Sequence, residues 1–206
     1  HFPSLVLSGR LKQRRGAFAE ALPEARLAVM MNPESYSARL LLGEISKALE
    51  LFKDAERHFK VAAKLRLDES VPCSRLSSLY FSWKEAGSAR SYAELAKSKA
   101  KNSRERSHAH LVAALAATMV EDFETFQSEL REASAIAPND PEILRYLGAG
   151  LCRDGRPKEG GKVLNRALGL MLRAGKTPDP GLLLHRGMAR RELGDPDGAF
   201  KDFLAA

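Results

Sequence analysis

The sequence predicts an all-α solenoid of antiparallel helix pairs. Three observations predict it: a clearly punctuated helix hairpin at the C-terminal end, small residues in matching places upstream, and a spacing near 34 residues between them. The hairpin is Pro180–Ala206, PGLLLHRGMARRELGDPDGAFKDFLAA. Its first helix carries Leu183 and Leu184 with Gly187 on one face and stops at Gly194-Asp195-Pro196. Glycine supplies the left-handed stop, and proline just inside the next helix gives up only an amide that had no partner. The second helix sets Ala199, Phe203 and Ala206 at i, i+4 and i+7. One such hairpin cannot bury its apolar stripe, so others should stack on it.

With Pro180 as position 1, earlier copies start at Phe2, Tyr36, Ser70, Ser107 and Pro141, in steps of 34, 34, 37, 34 and 39 residues. Position 27 is always alanine: Ala28, Ala62, Ala96, Ala133, Ala167 and Ala206. Position 8 is always small: Gly9, Gly43, Ser77, Ala114, Gly148 and Gly187. Position 20 reads Ala21, Ala55, Ala89, Phe126, Gly160 and Ala199, so approach should be looser at Phe126. The predicted copies are 2–35, 36–69, 70–106, 107–140, 141–179 and 180–206, one continuous array over 1–206.

That register resembles the tetratricopeptide repeat family, whose 34-residue units are helix–turn–helix pairs. Leu42-Gly43, Leu147-Gly148, Gly16-Ala17-Phe18-Ala19-Glu20-Ala21 and Gly194-Asp195-Pro196-Asp197-Gly198-Ala199 carry the likeness, with Pro33 and Pro138 matching the terminal proline. It implies a right-handed superhelix. The usual aromatic at position 4 is missing, replaced by Leu5, Arg39, Cys73, His110, Leu144 and Leu183.

Taken in order, copy one joins a basic first helix to a second that contains Pro23, where a proline ordinarily kinks or breaks a helix. Copy two is regular and apolar, with Leu40, Leu41, Ile45, Phe52 and Phe59. Copy three is small and polar on its first helix but adds Tyr80, Phe81 and Trp83, the last read as filler at the helix–turn junction. Lys101-Asn102-Ser103-Arg104 reads as a solvated loop. The first helix of copy four, LVAALAATMV, should be the most buried part of the array. Copy five turns at Gly155-Arg156-Pro157, and the insertion around Ala174–Asp179 should lengthen the helix before it. Phe200, Phe203 and Leu204 leave the last helix without the polar outer face that normally finishes an array, so either more chain follows or that face docks on another molecule, a second copy included.

Composition narrows the function. An apolar fraction of 44% is ordinary for a globular chain, and no run is long and apolar enough to span a membrane. Cys73 and Cys152 fall two copies apart, too far for a bridge, which leans toward the cytoplasm over the periplasm without assigning a compartment. Net charge is +7, concentrated at Arg10, Lys12, Arg14 and Arg15 and again at Lys97, Lys99, Lys101, Arg104 and Arg106. The second cluster has no interleaved aromatics, which argues against nucleic acid.

No phosphate-binding GxxxxGK[ST] loop, HExxH pair, GxSxG elbow or GxGxxG turn occurs, so no catalytic residue, metal or cofactor is indicated. His108 and His110, two apart on a helix, face different ways. The expected function is non-enzymatic: a scaffold that binds a peptide or partner protein in its concave groove. The resemblance implies groove contacts at positions 2, 5, 9 and 12. Positions 5, 9 and 12 give Val6, Arg10, Gln13, Leu40, Glu44, Lys47, Ser74, Ser78, Phe81, Leu111, Leu115, Thr118, Arg145, Ala149, Cys152, Leu184, Met188 and Arg191. Of the residues with which some relatives clamp a terminal carboxylate, only Arg75 is in place. The alternative is an accessory domain of a bacterial envelope or exopolysaccharide-export machine, with an anionic polymer as the ligand of a basic groove.

Overall fold

The computed structural model describes all 206 residues as twelve helices and no strands. They pair in chain order. The first three hairpins are α1 (Phe2–Arg14) with α2 (Phe18–Met31), α3 (Tyr36–Ala48) with α4 (Phe52–Leu65), and α5 (Val71–Ser82) with α6 (Ala86–Lys99). The last three are α7 (Ser103–Thr118) with α8 (Phe123–Ile136), α9 (Pro141–Arg153) with α10 (Pro157–Arg173), and α11 (Pro180–Glu192) with α12 (Pro196–Ala205). Each second helix also packs on the first helix of the following hairpin, which makes an α-solenoid.

First helices touch one another along the array, α1 on α3, α3 on α5, α5 on α7 and α9 on α11, while second helices meet no more than marginally. The stack therefore curves with its first helices inside and its second helices outside.

The small residues have a specific partner. A Cβ added to Gly43 would lie 2.5 Å from the Phe59 ring, one on Gly148 2.6 Å from Leu164, and one on Gly187 2.5 Å from Phe203. All three large side chains stand at position 24, so glycine at position 8 is the floor on which they rest. Phe126 finds its room differently: it is buried, and Gly150 of the next hairpin makes way, since a Cβ there would sit 2.9 Å from the ring.

Every hairpin turns the same way. Position 15, just past the first helix, has positive φ in all six copies: Gly16, Gly155 and Gly194, and also Glu50 (58°), Lys84 (62°) and Glu121 (57°). The following amide reaches back five residues, from Ala17 to the Lys12 carbonyl and from Leu51 to Ser46, through to Asp195 and Arg190. This left-handed stop satisfies carbonyls that the helix end would otherwise leave open.

Two expectations are corrected. The helix α2 runs unbroken through Pro23, which is exposed and sits near the helix start, so the loss is one amide bond to Ala19; buried Ala21, Ala25 and Ala28 hold the helix to its neighbours. Ser103 and Arg104 are not loop but the first turn of α7. Asn102 caps that turn by accepting from the Glu105 amide at 3.0 Å, while the Glu105 carboxylate takes the Asn102 amide at 2.6 Å and the Lys101 backbone N–H at 2.9 Å. This reciprocal cap adds a turn to α7 where a loop was expected. The later insertion does lengthen a helix, since α10 reaches Arg173. Trp83 stacks between Phe52 (5.9 Å) and Tyr80 (6.0 Å) on the outer side, and both cysteines are free.

Candidate functional site

The inner surface is polar, and its side chains bridge neighbouring first helices. Gln13 on α1 donates to Glu44 on α3 at 2.6 Å. The other Glu44 oxygen lies 2.7 Å from Nε of Arg75 on α5, a distance that makes an ion pair, although the N–H points off-axis and Nε has no hydrogen bond. Lys47 on α3 donates to Ser78 on α5 at 2.5 Å. Four of the residues expected in the groove thus form a lattice across α1, α3 and α5.

Beyond α5 the surface opens. The first helices α7 and α9 have no more than marginal contact, whereas α5 and α7 pack closely, as do α9 and α11. The same junction carries Phe126 where other hairpins place a small residue. A cleft of about 580 Å³ lies where the N-terminal ends of α5, α7 and α9 converge. Ser70, Ser74 and Arg75 line it from α5 and its cap; Arg104, Glu105, Ser107 and His108 from α7; Asp140, Glu142 and Ile143 from α9 and its cap; Leu111 forms part of its floor.

Its electrostatics are divided. Burial is the main cause that pushes His108 down from 6.5 to about 4, and Arg75, Arg104 and Lys47 add to it while Asp140 opposes. Burial first and Arg75 second draw the Lys47 ammonium below its ordinary value. Glu142 moves the other way, raised by desolvation and by Asp140. Its side chain keeps open surface, so the desolvation comes from the protein walls around a concavity rather than from enclosure, and the shift is correspondingly modest in energy. Glu105 is held low by the Lys101 backbone N–H first, then by Ser70 and Asn102. Asp140 is committed to capping α9, accepting from the amides of Glu142 (2.9 Å) and Ile143 (3.3 Å). Arg104 and Glu142 form no ion pair at all.

The remaining expected residues spread along the array. Ser74 and Leu111 line the cleft but are themselves buried, and Leu111 belongs to the core beneath it. Leu40 and Leu115 are half-buried against the cores of their hairpins. Phe81 and Ala149 are half-buried, and Arg145 pairs at 3.5 Å with Asp179. Arg10 sits exposed at one end, Met188 and Arg191 at the other. The sequence reading did not place Arg75, His108 and Glu142 in the site. His108 and Glu142 both occupy position 2, so the rule that names positions 2, 5, 9 and 12 reaches them. His110 turns to the outer side, with Nδ1 2.6 Å from Glu129, which also takes Lys97 at 2.7 Å.

No protein-family model matches the sequence, and no curated protein does. Solved structures match closely in shape. A tetratricopeptide repeat protein from Parabacteroides merdae aligns with TM-score 0.75 at 13% identity, covering 98% of this chain and 76% of its own. A thermophilic tetratricopeptide repeat protein of Thermus thermophilus gives 0.74 at 19% identity, over 92% of this chain and 98% of its own. PilW, described as a widely conserved type IV pilus biogenesis factor, gives 0.73 at 15% identity, over 98% and 90%. The chain has the tetratricopeptide repeat fold.

Proposed function

We propose that this repeat array is a non-enzymatic scaffold that holds an extended segment of a partner protein along its inner surface, anchored in the cleft between α5, α7 and α9. One observation carries the reading. The cleft presents two charged side chains with no ion pair of their own, Arg104 and Glu142, beside His108, whose proton affinity burial lowers. Partly desolvated groups of this kind gain most from a ligand that completes their hydrogen bonds. The six repeat units supply rigid first helices on which these side chains are held.

Peptides selected on the purified protein from a display library should lose about tenfold or more in affinity, about 1.4 kcal/mol, on Arg75→Ala or Glu142→Gln. Helical content should stay unchanged. Phe81→Ala and Arg145→Ala should weaken the same peptides less. Selected peptides that bind all four variants as well as the parent would show that the inner surface is not the binding face.

A second reading places the scaffold in a bacterial envelope assembly machine, and the likeness to PilW supports it. Fold likeness alone is a narrow warrant. Removing the chain from its host and finding envelope appendages and exported polymer unimpaired would count against this reading without touching the first.

A further inference from the structure

Five polar side chains around the cleft, Ser74, Arg75, Arg104, His108 and Glu142, make no hydrogen bond within the chain. Elsewhere on the inner surface such groups satisfy one another, as Gln13 does with Glu44 and Lys47 with Ser78. Ser74 stands out because it is only 3% exposed. Its buried neighbours Ser70, Ser77 and Ser107 all donate, to the Glu105 carboxylate, the Ala89 carbonyl and the Arg104 carbonyl. A buried hydroxyl without a partner carries a desolvation cost that a ligand atom can remove.

These groups are sorted by sign. Ser74 and Arg75 come from α5, and Arg104 from the first turn of α7. The first turn of α5 has no side-chain cap, so its open amides add to the same positive wall. Glu142 stands on the α9 side. The other two carboxylates are committed: Glu105 accepts from Ser70 (3.0 Å) and from the Lys101 backbone N–H (2.9 Å), and Asp140 caps α9. His108, drawn down to about 4 chiefly by burial, brings no charge at neutral pH. What remains is a cationic wall of α5 and α7 beside one uncommitted carboxylate on α9.

We propose that the cleft recognises a pair of side chains of opposite sign on the partner segment, an acidic one seated against Arg75, Arg104 and Ser74 and a basic one against Glu142. This rests on the reading that the cleft anchors the segment, and it names what the anchor is. A carboxylate meets a guanidinium fork in charge-assisted hydrogen bonds, and a cation at Glu142 offsets the desolvation of that group. A segment of one sign would satisfy one wall and be repelled by the other. First helices in contact lie about 8–10 Å apart, and α7 and α9, which barely touch, stand no closer. Extended chain advances about 3.3 Å per residue, so the acidic and basic residues lie about two to four apart.

Random peptides selected on the purified chain test this by fluorescence anisotropy, once synthesised with acetylated and amidated ends so that only side chains carry charge. Binders should hold an acid and a base about two to four residues apart. Replacing either one by glutamine in the peptide should weaken binding about tenfold. The losses should overlap in pairs: Arg104→Gln should remove most of the effect of losing the acid, and Glu142→Gln most of the effect of losing the base. Glu142→Lys should lose the original peptide and bind again once the peptide's base is replaced by glutamate. Arg104 and Glu142 are both exposed, so circular dichroism should show unchanged helix content in these variants. Binders that need Arg75 and Glu142 yet carry charge of one sign only, or whose losses simply add, would overturn the charge-pair anchor and leave the scaffold reading in place. Binders indifferent to every inner-surface variant would overturn both.

Discussion

The second and third hairpins solve the same packing problem with opposite choices. In the second, Gly43 leaves a floor and the Phe59 ring fills the space above it, fully buried. In the third, Ser77 takes the floor and donates to the Ala89 carbonyl at 2.9 Å, while Ala93 replaces the ring and packs with Val112 and Ala113 of α7. The aromatic volume of the third hairpin has moved outward, into the Trp83–Tyr80–Tyr92 stack, with Tyr80 and Tyr92 5.5 Å apart. The crossing accepts a ring over glycine in one hairpin and two small side chains in the next, so no single residue type is required there.

Substitutions in the two hairpins sharpen or break that comparison. The largest effect belongs to Phe59→Ala, which should cost about 3–5 kcal/mol in urea unfolding, because the ring is fully buried and the glycine beneath it cannot fill the void. Gly43→Ala should cost about 1–3 kcal/mol by overpacking. In the double variant the two losses should fall well short of their sum, since removing the ring makes room for the methyl; additive losses would refute the floor-and-ring pairing.

Acid should separate the hairpins next. His58, in the second, is buried, and its Nδ1 lies 3.2 Å from the Arg39 guanidinium, which makes it the acceptor and the ring neutral. Burial first, then Arg57 and Arg39, lower it from 6.5 to about 4. Its folded value lies below the unfolded one, so the unfolded chain binds the proton first. The stability tied to the neutral ring is complete above about pH 6.5 and drains away as pH falls toward about 4. His58→Gln should remove on the order of 1–2 kcal/mol of that acid-dependent loss, read as the difference between the two pH profiles. His108 titrates in the same window, and it cancels in that difference.

Smaller effects follow. Ser77→Ala should cost about 1 kcal/mol through the lost hydroxyl donor, measured by thermal unfolding, with amide exchange rising locally in α5 and α6. Glu50→Gly and Lys84→Gly should each gain about 1 kcal/mol or less, because both residues hold a left-handed conformation that costs a side chain and not a glycine. A loss at either site would mean that the turn relies on the side chain.

Much of this was legible in the residues. Turn signals such as Gly194-Asp195-Pro196, the alanines at position 27 and the small residues at position 8 are local or periodic, and they suffice to predict stacked helix pairs. The Asn102–Glu105 cap is also written in the sequence, as a polar residue followed three places later by a glutamate, but the polarity of the whole segment masks it. The left-handed turns at Glu50, Lys84 and Glu121 were not legible, since nothing in those side chains asks for positive φ and only the closing of the hairpin imposes it.

The site divides in the same way. Position in a repeat tells which side chains face inward, and Gln13, Glu44, Lys47 and Ser78 do meet there. Which first helices part to make a cleft depends on bulk contributed by three helices at once. Phe126 at one junction, Gly150 opposite it and the added turn of α7 act together although they lie far apart in the chain. The sequence by itself determined the helices, their stops and the faces they bury, because those follow from neighbours a few residues away. Only the tertiary structure decided how far apart the helices stand and so where the inner surface opens, because spacing is set by the combined volume of side chains that meet after folding.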